Sequence, residues 1–499
     1  MTHPNVLLLV WDSARLDYAA EHAPNLSSLA ERNLFFKNAV APATWSLPSH
    51  VSLFTGEYPH EHGVHRFNHT VSRLPLVEHL KRDGYDCYGV SGNGFASPRI
   101  GFDVSFDEFY DTRNSLLYDS GLSVRYVAKS LQEEGNSLPM VAAKTLYRAL
   151  GHDKPYKSLR NFLNVATSHL GSNYEFLQQL PVSGFKQSTS YDSESNTARI
   201  TNVIESHSEA DDPFFIFANY MDCHRPYDPP SDLQRKHVGE VVDDDELTRL
   251  DEEVADPWQF VERVEGGDGI DEEDLRTIRR LYAGEVESVD RHLGRILSAL
   301  ESNGLRENTL VVITADHAEN LGNVDAMGRR RIGHEGSVSD DLVRVPLVIG
   351  HPDLDGECVE EYVSIKDLCG LLTDGRGELL RSGGDRYGPL SPSDGVVLSE
   401  YPVVGGEELY EKYPDVPTES LADRVSEHSV VAYRGDWRVV LDSTGEEWAW
   451  HRGDERPLSD APSTAVDACR DALAELQGNV SEDELSDEEI EQLEALGYM

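Results

Sequence analysis

Continuous apolar runs recur along the chain and predict buried strands. Residues 5–10, 213–218 and 309–314 are apolar at nearly every position and do not alternate with polar ones. Such runs are typical of strands that are buried on both faces of a parallel sheet, with helices covering those faces. The pattern therefore predicts an α/β domain with a mostly parallel central sheet flanked by helices.

A helical period appears between these runs. From Ile278 to Leu300, apolar residues recur every three or four positions, and Gly304 follows. This spacing predicts one long helix that packs its apolar stripe against the core. Residues 111–200 read as amphipathic helices joined by polar loops, an insertion suited to act as a substrate lid. Residues 238–275 are rich in Asp, Glu and Gly and predict a solvated loop.

The pattern changes near residue 370. Short β-like runs separated by turn residues then predict a small antiparallel sheet. The runs are residues 396–399, 429–433, 437–441 and 448–450. The chain closes with an acidic, capped amphipathic helix over residues 486–496. We predict a catalytic domain over residues 1–370 and a small C-terminal subdomain over residues 371–499.

Acidic and imidazole side chains follow two of the buried strands directly. Asp12 comes two residues after the first run, and Asp316 and His317 follow the third. In open α/β sheets, ligands gather at the carboxyl ends of the strands, so these side chains should lie close together. Two carboxylates and one imidazole suit a single divalent ion: Ca²⁺, Mg²⁺, Mn²⁺ or Zn²⁺.

Ser46 is the candidate nucleophile because of its place in the segment APATWSLPSHVSLFTG at residues 41–56. Pro48 stands near the first position of a predicted helix, where its missing N–H costs nothing. Ser46 should therefore lie at a helix N-terminus, where free N–H groups and the helix dipole favour an anionic group under attack. An ordinary serine cap is the alternative reading.

Residues 46–49 (SLPS), followed by Thr55 and Gly56, resemble the nucleophile signature of the sulfatases, a branch of the alkaline-phosphatase superfamily. Residues 12–17 and 221–227 resemble further motifs of that family. The resemblance implies an alkaline-phosphatase-like fold and metal-dependent hydrolysis of a small-molecule or carbohydrate sulfate ester, most often with Ca²⁺. It also implies oxidation of the nucleophile to formylglycine, whose hydrate attacks sulfur.

The same resemblance assigns the remaining site residues. His224 and His334 would contact the substrate and protonate the leaving alcohol. His50 and Asn93 would also contact the substrate, although an Asn between two glycines could equally stabilise its own turn. Glu319 could orient a ligand or lie on the surface.

Three positions depart from the usual sulfatase pattern. His50 replaces an arginine, Ser13 replaces a second acidic residue of many members, and His317 replaces the asparagine that calcium sulfatases tend to have. These departures favour an alternative function, a phosphodiesterase or phosphonate monoester hydrolase that uses unmodified Ser46. A catalytically degenerate binding protein is a third interpretation.

The chain is strongly acidic, with 44 Lys and Arg against 90 Asp and Glu, and a formal net charge of −46. This charge argues against nucleic acid or an anionic membrane as a general partner. Scarce lysine and abundant acids resemble proteins of salt-loving archaea. The apolar run near the N-terminus is too short for a signal peptide or a membrane span, so we expect a cytoplasmic protein. Five cysteines without a CxxC pair indicate neither a disulfide framework nor a zinc site.

Overall fold

A computed structural model of the chain describes most of the predicted catalytic domain and the C-terminal sheet. The described residues are 3–66, 69–112, 138–150, 193–255, 271–334, 336–380, 390, 394–402 and 428–478. Most of the predicted insertion over residues 111–200, and the predicted terminal helix over residues 486–496, lie outside them.

Eight strands among the described residues form one mostly parallel sheet, as the apolar runs predict. These strands are β1 (Asn5–Trp11), β2 (Leu34–Val40), β3 (Asp86–Ser91), β4 (Glu108–Asp111), β5 (Phe214–Tyr220), β6 (Thr309–Thr314), β9 (Leu347–Gly350) and β10 (Glu357–Ser364). Their order across the sheet is β10-β2-β9-β6-β1-β5-β3-β4. Only β9 runs antiparallel to its described neighbours, β2 and β6.

Strand β1 occupies the middle of this sheet, between β5 and β6. Residues 6–10 are fully buried, which explains why the run does not alternate with polar positions. Val10 lies opposite Asn219 of β5 and opposite Thr314 of β6. The three strands therefore end level with one another, and the residues that follow them meet at one edge of the sheet.

Helices pack against this sheet and against one another. Among the described residues before 380 they are α1 (Leu16–His22), α2 (Pro24–Ala30), α3 (Ser46–Thr55), α4 (Pro59–His62), α5 (Pro75–Arg82), α6 (Leu138–Leu150), α7 (Ser193–Ser206), α8 (Ser231–His237), α9 (Asp244–Val254), α10 (Glu272–Ser302), α11 (Asp340–Val343), α12 (Leu368–Gly370) and α13 (Arg376–Leu379). Helix α10 is the predicted long helix, and its apolar stripe from Ile278 to Leu300 is buried. It contacts α1, α2, α7 and α8.

The prediction of a solvated loop over residues 238–275 is wrong where α9 forms. The side chain of Asp243 accepts the N–H of Glu246 at 3.0 Å and so caps the helix. Leu250 and Val254 are buried against the domain core. A short helix therefore forms despite the acidic composition, because tertiary packing stabilises it.

The C-terminal part forms the small antiparallel sheet that its short runs predict. Its strands are β11 (Val397–Tyr401), β12 (Ser429–Arg434), β13 (Trp437–Asp442), β14 (Glu447–His451) and β15 (Asp454–Arg456), in that order. Helix α14 (Ser463–Gly478) packs on this sheet through buried Ala465, Cys469 and Leu476. A separate hairpin pairs β7 (Asn320–Val324) with β8 (Arg330–Gly333). In the described part of the chain, no helix is long and apolar enough to cross a membrane.

Candidate active site

Ser46 is the first residue of α3, as its sequence context predicts. It is fully buried, and its Oγ lies 3.4 Å from Oδ2 of Asp12 and 3.3 Å from Nε2 of His317. The extended backbone of Trp45 brings the chain to this point, and Oγ of Ser49 donates a hydrogen bond to the carbonyl of Asp316 at 2.5 Å. The start of α3 is therefore fixed directly above the carboxyl end of β6.

Asp12, Asp316 and His317 form the candidate metal site. All three are fully buried, and one ligand atom from each lies within 4.8 Å of the other two. Nδ1–H of His317 donates to the carbonyl of Ala318 at 2.8 Å, which leaves Nε2 available as a ligand. Oδ2 of Asp316 is buried and accepts no hydrogen bond from the described residues. This donor set fits one divalent ion.

The electrostatics of this cluster also favour a cation. Burial alone would lower the pKa of His317, but Asp316 and Asp12 outweigh burial and raise it. Without an ion, the imidazole therefore holds a proton more readily than an ordinary histidine does. A metal ion competes for the same nitrogen, so its affinity should fall as the pH is lowered.

Ser13 supports the two carboxylates through an unusual backbone conformation. Its φ is 61°, in the left-handed region that residues other than glycine rarely adopt, at a cost of about 1–3 kcal/mol. In return, its N–H donates to Oδ1 of Asp316 at 3.3 Å and its Oγ to Oδ1 of Asp12 at 3.2 Å. Tyr282 holds the turn by donating its hydroxyl to the carbonyl of Ser13 at 2.7 Å.

Two asparagines also bind Asp12. Asn93 donates to Oδ2 through Nδ2, while its own Oδ1 accepts the N–H of Phe95 at 2.6 Å. Asn93 therefore stabilises its own turn and also contacts a candidate metal ligand, whereas its predicted contact with the substrate stays a prediction. Asn219 of β5 donates to the same Oδ2 at 3.3 Å. Sequence reasoning missed it, although it is the polar residue near the end of an otherwise apolar strand.

His50 lies one turn after Ser46 on α3 and is fully buried. Its Nδ1 is 2.8 Å from the carbonyl of Ser46, and its Nε2 is 3.1 Å from Nδ2 of Asn219. The same Nδ1 lies 3.5 Å from Oδ2 of Asp316. The structure thus places His50 beside Ser46 and the carboxylates of the candidate metal site.

His224 and His334 approach the cluster from two other loops. Their ring centroids are 5.5 Å apart, and the ring of His334 is 4.7 Å from that of His317. Burial lowers the pKa of His224 to about 4 and lowers that of His334 well below its usual value. Both imidazoles are therefore uncharged at neutral pH in the absence of substrate.

Glu319 is buried next to His334 rather than exposed on the surface. Its carboxyl oxygens lie 3.4 and 3.5 Å from Nδ1 of that histidine. Burial raises the pKa of Glu319 to about 7, so the carboxyl group is near its titration point at neutral pH. This position agrees with an orienting role.

Other candidates lie outside the cluster. Among the described residues, the only group of three or more side chains that could hold a metal ion is Asp12, Asp316 and His317. His60 and His62, which are spaced like a metal pair, instead bind Glu400 and Ser52. The site therefore draws on the ends of β1, β5 and β6, the start of α3 and the loop after β8.

Comparison with known proteins now identifies the family. Residues 4–372 match the family model described as Sulfatase. The chain belongs to the sulfatase family. It is therefore a hydrolase that acts on sulfuric esters.

A relative of the chain is named a sulfatase, and two solved structures share its fold. The uncharacterised sulfatase YidJ of Escherichia coli K12 is 22% identical over 393 residues, covering 74% of this chain and 67% of YidJ. The phosphonate monoester hydrolase of Agrobacterium radiobacter has a TM-score of 0.58 at 19% identity, covering 96% of each chain. BT4656, solved with its substrate D-glucosamine-2-N,6-O-disulfate, also has a TM-score of 0.58, at 14% identity, covering 96% of this chain and 99% of BT4656. These structures share the fold of the present sulfatase.

Proposed function

We propose that this sulfatase hydrolyses an organic sulfate ester with Ser46, converted to formylglycine, as its nucleophile and one divalent ion as its cofactor. The observation that carries this proposal is the contact of Ser46 Oγ with two of the three candidate metal ligands, Asp12 and His317, at 3.4 and 3.3 Å. An oxygen at this position is placed for activation and attack in the same site.

Asp12, Asp316 and His317 would hold the ion. When bound, it would lower the pKa of the nucleophilic oxygen and offset negative charge on the sulfuryl group. Ca²⁺ is our first candidate from the family resemblance, and Mn²⁺, Mg²⁺ and Zn²⁺ are alternatives. The imidazole of His317 favours the ions that accept nitrogen ligands.

The hydrated formylglycine carries two oxygens on one carbon. One oxygen would attack sulfur and break the bond between sulfur and the ester oxygen, releasing the alcohol. The second would then lose its proton and re-form the aldehyde, which expels sulfate. A sulfate ester of unmodified serine lacks this route and would be hard to clear, which is why the modification matters.

His224 and His334 would contact the ester oxygen. Because both imidazoles are uncharged in the free protein, one of them would take up a proton when the anionic substrate binds and then give it to the leaving alcohol. Nδ1–H of His224 donates to the carbonyl of Arg225 at 2.7 Å, which fixes the orientation of its ring. Glu319 holds Nδ1 of His334 in the same manner at 3.4 to 3.5 Å. Asn93 and His50 would complete the contacts around the sulfuryl group.

We propose a small-molecule or carbohydrate sulfate ester as the substrate. BT4656, which shares the fold, binds a disulfated glucosamine. The strong negative charge of the present protein, −46, disfavours nucleic acid as a partner. The predicted insertion over residues 111–200 would supply the pocket walls.

The mass of the peptide that contains Ser46, from protein made in its native host, tests this function. We expect the loss of two hydrogens at Ser46, together with metal-dependent release of sulfate from an aryl sulfate. The Ser46→Ala variant is the control and should show neither. Unmodified serine in a protein that still releases sulfate would refute the formylglycine mechanism.

A phosphonate monoester or phosphate diester hydrolase is the second candidate. His317 in the donor set favours it, because an imidazole suits the ions that commonly activate phosphoryl groups. Unmodified Ser46 would then form a phosphoserine intermediate that water resolves. Rapid turnover of a phosphonate monoester by protein with unmodified Ser46, and none of a sulfate ester, would establish this alternative.

A further inference from the structure

We propose that Arg438 is a positioning residue of the active site. From the C-terminal sheet it holds α11 and the two residues before that helix, and through them the segments that carry His317 and His334. The proposal rests on the proposed function for the roles of these two histidines, but not on whether a sulfate or a phosphonate ester is cleaved.

Arg438 is a buried cation on an apolar face of the C-terminal sheet. It lies opposite Tyr433 of β12 and Trp450 of β14, so the three side chains share this face. Its side chain is 10% exposed, and its guanidinium carbon lies 4.9 Å from the ring centroid of Trp450. Both aromatic residues belong to one buried cluster with Val338 and Leu342. A buried charge is costly unless it is paired and hydrogen-bonded, so the partners of Arg438 indicate its role.

These partners lie on the segment that follows His334. Nη2 of Arg438 donates to the carbonyl of Val338 at 3.0 Å, and its Nε lies 3.2 Å from Oδ1 of Asp340. The hydroxyl of Tyr433 donates to the same carboxylate oxygen at 2.6 Å. Asp340 is the first residue of α11. The C-terminal sheet therefore binds the start of this short helix through a carboxylate and through the backbone just before it.

The other end of α11 contacts the candidate metal site. The carbonyl of Leu342 accepts the N–H of Ala318 at 2.8 Å. The carbonyl of Ala318 in turn accepts Nδ1–H of His317 at 2.8 Å, which leaves Nε2 of that ring for the ion. A shift of Leu342 would therefore move the backbone that orients a candidate ligand.

A second path leads from the same segment to His334. Ser339, the residue before α11, donates its hydroxyl to Oδ1 of Asn320 at 2.7 Å. Nδ2 of Asn320 donates to the carbonyl of Gly333, the residue before His334, at 2.9 Å. Ser339 and Asn320 are both buried. The contacts of Arg438 on either side of Ser339 therefore fix the backbone from which this path begins.

The Arg438→Gln variant tests the proposal. Glutamine is uncharged and shorter than arginine, so it cannot keep both contacts. Removing a group that orients metal ligands typically costs about 10- to 100-fold in metal affinity or activity. We therefore expect the affinity for Mn²⁺, measured by titration calorimetry without turnover, to fall about tenfold or more. The kcat at saturating Mn²⁺ should fall by a similar factor.

Hydrogen exchange distinguishes positioning from a general loss of stability. In Arg438→Gln, the peptide that contains Ala318 should exchange its amide hydrogens faster, because Leu342 no longer holds that N–H firmly. Peptides of β5, in the middle of the large sheet, should exchange as they do in the unaltered protein. Faster exchange in both places would mean that the whole domain is destabilised, and would contradict a positioning role.

Arg456→Gln is the matched control. Arg456 lies on the edge strand β15, pairs with Asp454 and has a side chain that is 44% exposed. This variant should leave metal affinity, kcat and the exchange of Ala318 unchanged. The same three values unchanged in a folded Arg438→Gln variant would overturn the proposal.

A second variant decides the question if Arg438→Gln does not fold. Asp340→Asn keeps the shape of the side chain but removes the charge that Arg438 pairs with. It should lower metal affinity and speed the exchange of Ala318 in the same manner, and unchanged values would again overturn the proposal.

Failure of the proposed function is recognised separately. If the unaltered protein cleaves a phosphonate monoester and no sulfate ester, the sulfatase mechanism is wrong, and the ratio of kcat between variant and unaltered protein is taken on the phosphonate. If the unaltered protein binds no Mn²⁺, the kcat ratio and the exchange of Ala318 still decide whether Arg438 positions the site.

Discussion

The carboxylate of Asp12 is fixed by hydrogen-bonding groups from several parts of the chain. Its Oδ2 faces Ser46 Oγ, Asn93 Nδ2 and Asn219 Nδ2, while its Oδ1 accepts from Ser13 Oγ. These donors stabilise the charged carboxylate inside a buried site and orient it before an ion arrives. The conformational free energy that the positive φ of Ser13 costs is therefore offset, because it helps to orient Asp12 as a metal ligand in advance.

The Asp12→Asn variant should lose the metal site. Its amide places a third NH₂ group beside those of Asn93 and Asn219, where the carboxylate accepted hydrogen bonds, and it removes a charge from the donor set. Calcium or manganese at 100 times its dissociation constant should stabilise the unaltered protein by about 2.7 kcal/mol, measured by urea unfolding. We expect almost no stabilisation of the variant at the same concentration.

Asp17→Asn is the matched control for that measurement. Asp17 pairs with Arg15, and its side chain is 62% exposed, away from the cluster. The control variant should retain the full stabilisation by metal. Equal stabilisation of Asp12→Asn and the unaltered protein would show that the ion binds elsewhere.

Single residues of the site were predictable where local sequence carries the signal. Asp12, Asp316 and Ser46 follow buried strands or begin a helix, and the structure brings all three together. Asn219 and Ser13 were not predicted as site residues. Their roles depend on strand register and on a positive φ, which a pattern of residue types does not reveal.

At the level of elements, β11 of the C-terminal sheet anchors the nucleophile helix. Glu400 forms a backbone bridge with the loop before α3, where its N–H donates to Pro42 and its carbonyl accepts from Thr44 at 3.0 and 3.2 Å. Its buried carboxylate also accepts the N–H of His60 at 3.0 Å, and its second oxygen lies 2.5 Å from Nδ1 of that histidine. One residue therefore binds the chain on both sides of Ser46.

The Glu400→Gln variant should destabilise the protein in a pH-dependent manner. Burial alone would lower the pKa of His60, but its hydrogen bond and attraction to Glu400 outweigh burial and raise it. A raised folded-state pKa adds stability that is complete below the unfolded pKa of about 6.5 and is lost as the pH rises through the folded pKa. The charge contribution of the pair is thus largest in mild acid.

Urea unfolding of both proteins, at pH values from mild acid to mild alkali, provides the measurement. We expect the loss of unfolding free energy in Glu400→Gln to be about 2–4 kcal/mol in mild acid and smaller in alkali. Glu57→Gln, an exposed change between α3 and α4, is the control and should show little loss. A loss that is independent of pH would mean that the pair is not charged.

The elements were predictable to different degrees for a physical reason. The central strands are continuous apolar runs, and α10 carries a long apolar stripe. Both are buried, so the sequence alone predicts them. Helix α9 is too acidic for that signal. It is stabilised instead by the buried side chains of Leu250 and Val254, and Arg249 adds ion pairs with Glu246 on its own helix and with Asp274 at the start of α10.

On the scale of the whole molecule, the formal net charge of −46 is the dominant electrostatic feature. Such an excess repels itself and destabilises the compact state at low ionic strength. Surface ion pairs act in the opposite direction, and salt weakens them as well. The sign of the salt dependence therefore shows which of the two effects is larger.

We propose that repulsion is larger and that the protein is most stable in concentrated salt. The screening length falls from about 10 Å at 0.1 M to about 3 Å at 1 M, which is short enough to isolate most surface charges from one another. The melting temperature should therefore rise by roughly 10 °C or more as KCl increases over this range, because a few kcal/mol moves the midpoint of a large domain by several degrees. Sucrose of equal osmolality, which screens nothing, should raise it far less. A melting temperature that falls with KCl would mean that ion pairs such as that of Arg249 contribute more than the excess charge removes.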